Sequence, residues 1–259
     1  MKSSFIETSL GTIHVVCKTV PGSIPVLFLH GVYLDCEIWS YHVHMINDRT
    51  VIAIDMPFHG RSREIRKRSW TLDDCSVMLI ELMDALGIEK ASAIGHSWGS
   101  MTILRAAVTH PERFVALGLC NMPYQRISST EKWMIRLQHI VLMFRGFYLR
   151  QVAMALIARN AGSDLVASIV RSMSILSNAE IRHTDKAVRL DAQDATPLLM
   201  KLVVPTLALR GKEDYVGSAP MLETIVVGGG HVSPIEVPND VCSFIGKVLR
   251  LNVRRTQLN

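Results

Sequence analysis

The stretch Ala93-Ile94-Gly95-His96-Ser97-Trp98-Gly99 constrains this chain more than any other. Ala91 to Ile94 is small and apolar in the manner of a strand, and Ser100 to Ala107 reads as a helix. Gly-x-Ser-x-Gly therefore falls where a strand turns sharply into a helix. Such a turn exposes the side chain at its apex, here Ser97, and crowds the flanking positions so that Gly95 and Gly99 cannot carry a Cβ. The next amide, Trp98 N–H, opens the helix, where an oxyanion would meet a free donor and the positive end of the helix dipole. An ordinary glycine-rich turn would lack the strand before it and the helix after it.

A serine hydroxyl is a poor nucleophile at neutral pH unless a base takes its proton, and that base is a histidine whose other ring nitrogen is held by a carboxylate. Of ten histidines, His231 sits on a glycine-rich loop, Gly228 to Gly230, just after the apolar run Thr224 to Val227. His42, His44, His110, His139 and His183 lie in helical or linking stretches and read as surface or packing residues. His96 adjoins Ser97, but alternation on an extended chain turns it away. Asp214 follows the apolar run Val203 to Arg210 and the turn at Gly211, with Glu213 its rival for the carboxylate. His30-Gly31-Val32 closes another apolar run, and Val32 N–H is the candidate second oxyanion donor beside Trp98 N–H.

Around these points the chain alternates. Phe5 to Leu10 and Thr12 to Cys17 predict a hairpin, and Pro25 to His30, Val51 to Asp55 and Val115 to Leu119 predict buried strands. Trp39 to Ile46 predicts a short helix, and Thr71 opens a capped one running to Leu86. This is the pattern of an α/β protein with a mainly parallel sheet. Asp55 reads as a turn-fixing carboxylate rather than a catalytic one.

The alternation stops at Met122. Up to Met200 the texture is helical (Glu131 to Phe144, Phe147 to Asn160, Asp164 to Leu176, Asn178 to Arg189), and a helix from Pro238 to Leu251 closes the chain. Residues 1–121 and 201–259 then form the core domain, and 122–200 a helical cap lying over the end of the sheet that carries the active site. The run from Trp133 to Ile157 is apolar on more than one helical face. Packing of cap on core is one reading and an apolar substrate cavity another. A third lays these helices, with Lys132, Arg136, Arg145 and Arg150, on an anionic membrane.

Composition excludes several classes. Apolar content of 49% and a mean hydropathy of +0.24 describe a folded globular chain. The net charge of +5 comes without long basic runs, the densest being Arg61 to Arg68 and Arg250, Arg254 and Arg255, and no nucleic-acid reader motif accompanies it. Met1 to Val16 alternates polar and apolar residues, so no signal peptide is expected, and no stretch has the length of an integral membrane span. Five scattered cysteines without a CxxC pair predict reduced thiols, a cytoplasmic location and no zinc or other metal site.

Taken together, Leu29-His30-Gly31, Asp55 to Ser62, Gly95 to Gly99, His110-Pro-Glu-Arg113, Pro205 to Gly211 with Asp214, and Gly230-His231 resemble the habitual blocks of the α/β-hydrolase superfamily, in order. The resemblance implies an eight-stranded, mostly parallel sheet with a helical cap, no cofactor, and Ser97, Asp214 and His231 as catalytic triad. Phe58 stands where the family usually has glycine, which places a ring near the pocket mouth or the core. The link from Asp214 to His231 is only 17 positions, where the family usually inserts a helix. The substrate expected is a small hydrophobic ester, lactone or thioester, with Tyr33, Phe58, Trp133, Leu137, Phe144 and Phe147 as candidate contacts. Carbon–carbon bond hydrolysis and a ligand receptor that keeps the triad are the alternatives, and the oligomeric state is left open.

Overall fold

A computed structural model of the chain describes residues 1–256, with side chains described through residue 251, so Arg254 and Arg255 lie outside the described side chains. The chain begins with the hairpin of β1 (Lys2–Thr8) and β2 (Gly11–Lys18), antiparallel in the register Thr8↔Gly11. β3 (Val26–Leu29), the short helix α1 (Ser40–Met45) and β4 (Val51–Ile54) follow, both strands buried along their whole length. Next come α2 (Leu72–Ala85), β5 (Ala91–His96), α3 (Trp98–Thr109) and β6 (Phe114–Cys120). Thr71 and Asp74 close a reciprocal capping box at the start of α2.

The eight strands are ordered β1-β2-β4-β3-β5-β6-β7-β8, with β7 at Thr206–Gly211 and β8 at Thr224–Val227. β2 runs antiparallel to its neighbours β1 and β4, and every pairing from β4 to β8 is parallel. The chain moves outward from β3 to β4 and then returns to the other side of β3 as β5. That reversal opens a crevice beyond the carboxyl ends of β3 and β5, where ligands bind in open α/β sheets. The loop after β3 holds Val32, and the turn after β5 holds Ser97.

Between β6 and β7 the described residues form helices only: α4 (Ser129–Val141), α5 (Arg145–Leu156), α6 (Ser163–Ser174), α7 (Asn178–Asp185) and the single turn α8 (Thr196–Leu199). A helix was expected to run unbroken from Asn178 to Arg189. Instead α7 ends at Asp185 and a π-helical turn, Lys186–Leu190, carries the chain on. After β8 come α9 (Ser233–Glu236) and α10 (Pro238–Thr256). No described helix is long and apolar enough to cross a membrane.

Asp55 fixes the turn after β4. Its Oδ1 accepts from Cys36 N–H at 2.8 Å, and its Oδ2 accepts from Arg61 N–H at 2.8 Å and pairs with His14 Nδ1 at 2.7 Å. Burial pushes this carboxyl up, but the His14 bond, the His30 charge and the two amides outweigh it and bring it down to about 2. A folded pKa below the unfolded one stabilises the fold above the unfolded value, and that contribution is lost as pH falls through the folded value. Here it amounts to about 2 kcal/mol. Asp55→Asn is expected to lower the melting temperature at neutral pH, with the gap to wild type narrowing between about pH 5 and pH 2. A gap unchanged across that range would show that the carboxylate charge plays no part.

Candidate active site

The strand-to-helix turn is close-packed. A Cβ on Gly95 would lie 2.4 Å from Ser100 N, and one on Gly99 would lie 2.3 Å from Leu29 O, so neither position admits a side chain. Ser97 sits at the apex with φ 50 and ψ −111, a conformation that costs a non-glycine residue about 1–3 kcal/mol. Surrounding bonds hold it there. Ser97 N–H donates to Cys120 O at 2.8 Å and Gly99 N–H to His30 O at 3.1 Å, while Ser100 Oγ donates to Gly95 O at 2.7 Å. Trp98 N–H is the first amide of α3 and has no intrahelical partner.

Ser97 Oγ lies 3.0 Å from His231 Nε2, and His231 Nδ1 donates to Asp214 Oδ1 at 2.9 Å. The His231 and Asp214 side chains are 4% and 0% exposed, so water does not compete for these bonds. Burial pushes the Asp214 carboxyl up. The His231 bond and charge, the Asn121 amide and Val216 N–H together more than offset this and leave it below the usual carboxylate range. Asp214 is therefore a charged acceptor, which fixes the proton of His231 on Nδ1 and leaves Nε2 as the acceptor facing Ser97. Glu213 faces elsewhere and accepts from Arg159 N–H in the cap at 3.2 Å. No helix fills the link between Asp214 and His231, yet Asp214 reaches the ring.

Three residues at this site were not assigned a role from the sequence. Asn121, at a left-handed φ of 51, donates through Nδ2 to Asp214 Oδ2 at 2.7 Å and to Ser233 Oγ at 3.0 Å. The Tyr215 ring stacks on His231 with centroids 4.5 Å apart, its hydroxyl 3.2 Å from Nε2. His96, expected to turn away, instead lines the cavity beside Ser97, and its Nε2–H donates to His231 O at 2.7 Å. The apex conformation of Ser97 ends the strand, so alternation no longer separates neighbouring side chains. Burial, together with nearby His231, holds the His96 ring down at about 3, which keeps it neutral. The weak signal available is their place in sequence: Asn121 follows a parallel strand, Tyr215 follows Asp214, and His96 precedes Ser97.

Above Ser97 lies a cavity of about 630 Å³ lined by core residues Val32, Tyr33, Met101, Tyr215 and His231 and by cap residues including Met134, Ile135, Val141, Phe147, Val152 and Leu156. Of the six contacts expected from sequence, Tyr33 and Phe147 are among the lining residues. Trp133, Leu137 and Phe144 are not: they are 59%, 39% and 66% exposed on the outer face of the cap. Phe58 is not either. At φ 70 its ring is buried against Trp70, with centroids 6.0 Å apart, and Trp70 stacks on Trp98 at 5.1 Å, so Phe58 braces the turn from behind.

Two lining residues of the cavity, Tyr33 and Arg189, converge on a carboxylate beside it. Asp185, fully buried, accepts from Tyr33 OH at 2.5 Å, His139 Nε2 at 2.8 Å and Arg189 Nη1 at 3.1 Å. Burial pushes this carboxyl up, and the three donors more than reverse the shift. The Tyr33 hydroxyl and the Arg189 charge are thus engaged with Asp185.

Comparison with known proteins agrees with this architecture. The chain is 36% identical over 99 residues to the dihydrolipoyllysine-residue acetyltransferase component of the acetoin cleaving system of Pseudomonas putida, which covers 38% of this chain and 26% of that protein. The chain thus matches about a quarter of that relative's length. Among solved structures, the enol-lactonase of Burkholderia xenovorans LB400 superposes with a TM-score of 0.84 at 20% identity, over 95% of this chain and 99% of that one. A thermophilic esterase from Thermogutta terrifontis gives a TM-score of 0.82 at 23% identity, over 97% of this chain and 99% of that one. At such identities the likeness speaks to the fold. Residues 24–194 match the family described as alpha/beta hydrolase fold, and with the sheet order and the turn at Ser97 already in view, the chain belongs to the α/β-hydrolase fold family.

Proposed function

We propose that this protein is a serine hydrolase that cleaves a carboxylic ester, or a related lactone or thioester, through an acyl-enzyme, with Ser97, His231 and Asp214 as catalytic residues. The observation that carries the reading is the continuous hydrogen-bonded line from Ser97 Oγ through the His231 ring to a buried, charged Asp214, opening on a cavity. In the proposed reaction Ser97 Oγ attacks the carbonyl carbon as its proton passes to His231 Nε2. Asp214 stabilises the imidazolium through Nδ1–H. The carbonyl oxygen becomes an oxyanion that accepts from Val32 N–H and Trp98 N–H, each donor being worth about 3–4 kcal/mol in the transition state. The imidazolium then protonates the leaving alcohol oxygen, and a water activated by the same ring hydrolyses the acyl-enzyme.

A structure with a tetrahedral phosphonate adduct on Ser97 tests the oxyanion assignment. Both amides are expected within hydrogen-bonding distance of the phosphonyl oxygen. An adduct oxygen bonded to neither amide would refute it.

The apolar cap side chains over Ser97 support a hydrophobic acyl or alcohol group as substrate. Across a series of straight-chain p-nitrophenyl esters, kcat/KM should rise with acyl length by about 1–3 kcal/mol per well-fitted methylene until the cavity is filled, then fall. A flat profile would remove the cap from substrate selection. The five free cysteines support a reducing compartment such as the cytoplasm.

A further inference from the structure

From Lys132 to Ser163 the chain carries five Lys and Arg residues and no Asp or Glu, which equals its entire formal net charge of +5. Lys132, Arg136, Arg150 and Arg159 form no ion pair among the described residues, whereas Arg145 is engaged with Asn178 and the Ser174 carbonyl. The same segment holds the largest group of exposed apolar side chains in the described chain. Trp133, Leu137, Ile140 and Phe144 follow one another at helical spacing along one face of α4 and its end, with Met143 exposed in the turn that follows and Phe147 and Met154 exposed on α5. Met134, Val141 and Phe147 are exposed in this patch and also line the cavity over Ser97. The cavity therefore reaches the surface within the apolar, basic face.

We infer that the α4–α5 face docks on an anionic phospholipid surface, with the apolar ridge among the acyl chains and Lys132, Arg136 and Arg150 at the headgroups. Exposed apolar patches of this size mark interaction sites, and an amphipathic face with basic flanks has the composition of an interfacial element that lies on a bilayer without crossing it. A second copy of this chain is a poor occupant of the face, because it would set Lys132, Arg136 and Arg150 against their own copies, with Glu131 at the start of α4 the one acid on these two helices. Docking would place the cavity mouth against the bilayer, so an apolar ester could enter from lipid without crossing water.

Trp133 makes the test direct. Trp39, Trp70 and Trp98 are buried, so of the four tryptophans Trp133 alone is exposed and its fluorescence reports this face. The full chain with Ser97→Ala, which excludes lipid turnover, is mixed at low salt with vesicles of equal parts phosphatidylglycerol and phosphatidylcholine, or of phosphatidylcholine alone. A blue shift and co-sedimentation are expected with the anionic vesicles only, reversed by high salt. Arg136→Glu/Arg150→Glu and, separately, Ile140→Ser/Phe144→Ser should each weaken sedimentation about tenfold or more. Since none of these four residues lines the cavity, turnover of a soluble short-chain ester by the same variants in the Ser97 background should stay unchanged. No shift with anionic vesicles, equal binding to both compositions, or Trp133 already shielded in a concentration-dependent dimer would each overturn the inference. Because binding is read without catalysis, those results would leave the proposed hydrolytic reaction untouched.

Discussion

Ser97→Ala is expected to abolish covalent labelling by a fluorophosphonate and to lower kcat by about 10⁶-fold, the largest effect anticipated for any single substitution here. The size follows from the way nucleophile and base act as a unit. Without Oγ there is nothing for His231 Nε2 to deprotonate, and the 3.0 Å contact that aligns them serves no reaction. His231→Ala should have a similar effect, and the double variant should be scarcely worse than either single one. The fold is expected to persist, because the bonds that hold the turn involve the backbone of Ser97 and the side chain of Ser100. Intact labelling, or hydrolysis near the wild-type rate in Ser97→Ala, would refute the acyl-enzyme reaction outright.

Asp214→Asn is expected to lower kcat by about 10⁴-fold with little change in KM. An amide at this position can present its NH₂ to His231 Nδ1, which moves the ring proton to Nε2 and leaves no acceptor for the serine proton. Asn121 Nδ2, which donates to Oδ2 at 2.7 Å, selects that orientation, because it keeps the amide oxygen at the Oδ2 position and turns the NH₂ toward the ring. Steady-state kinetics together with a melting curve separate loss of the tautomer from loss of the fold. Near-normal activity in Asp214→Asn with Glu213→Gln inactive would transfer the role to Glu213, against the direction in which its side chain points.

Much of this architecture was legible in the chain because it rests on local rules. The turn at Ser97 announces itself through crowding at Gly95 and Gly99, and α2 through the Thr71 cap. The buried strands β3 and β4 read as apolar runs because both their faces are covered. The outer face of the cap is not legible for a physical reason: from Trp133 to Ile157 apolar residues occupy several helical faces, so periodicity cannot say which face meets the core. The structure turns Ile135, Leu142, Tyr148 and Leu149 inward and leaves Trp133, Leu137 and Phe144 outside. Asn121, Tyr215 and the Asp185 cluster were invisible because their partners lie far along the chain. Asn121 and Asp214 are 93 positions apart, and Tyr33 and Asp185 are 152 apart. No local window relates them.

Glu236, at the end of α9, ties the loop that carries His231 to the cap. Its Oε1 accepts from Ala158 N–H just beyond α5 at 2.6 Å, its Oε2 accepts from Gly230 N–H at 2.9 Å, and His231 N–H itself donates to Leu156 O at 2.9 Å. The carboxyl end of α5 and the loop bearing His231 are therefore one mechanical piece. A displacement of that end of the cap would pull on the imidazole through these three bonds, so in the proposed reaction proton transfer would require this end to stay seated. Among the described residues no hydrogen bond joins α4 to the His231 loop, so that side of the cap could shift without loading the imidazole.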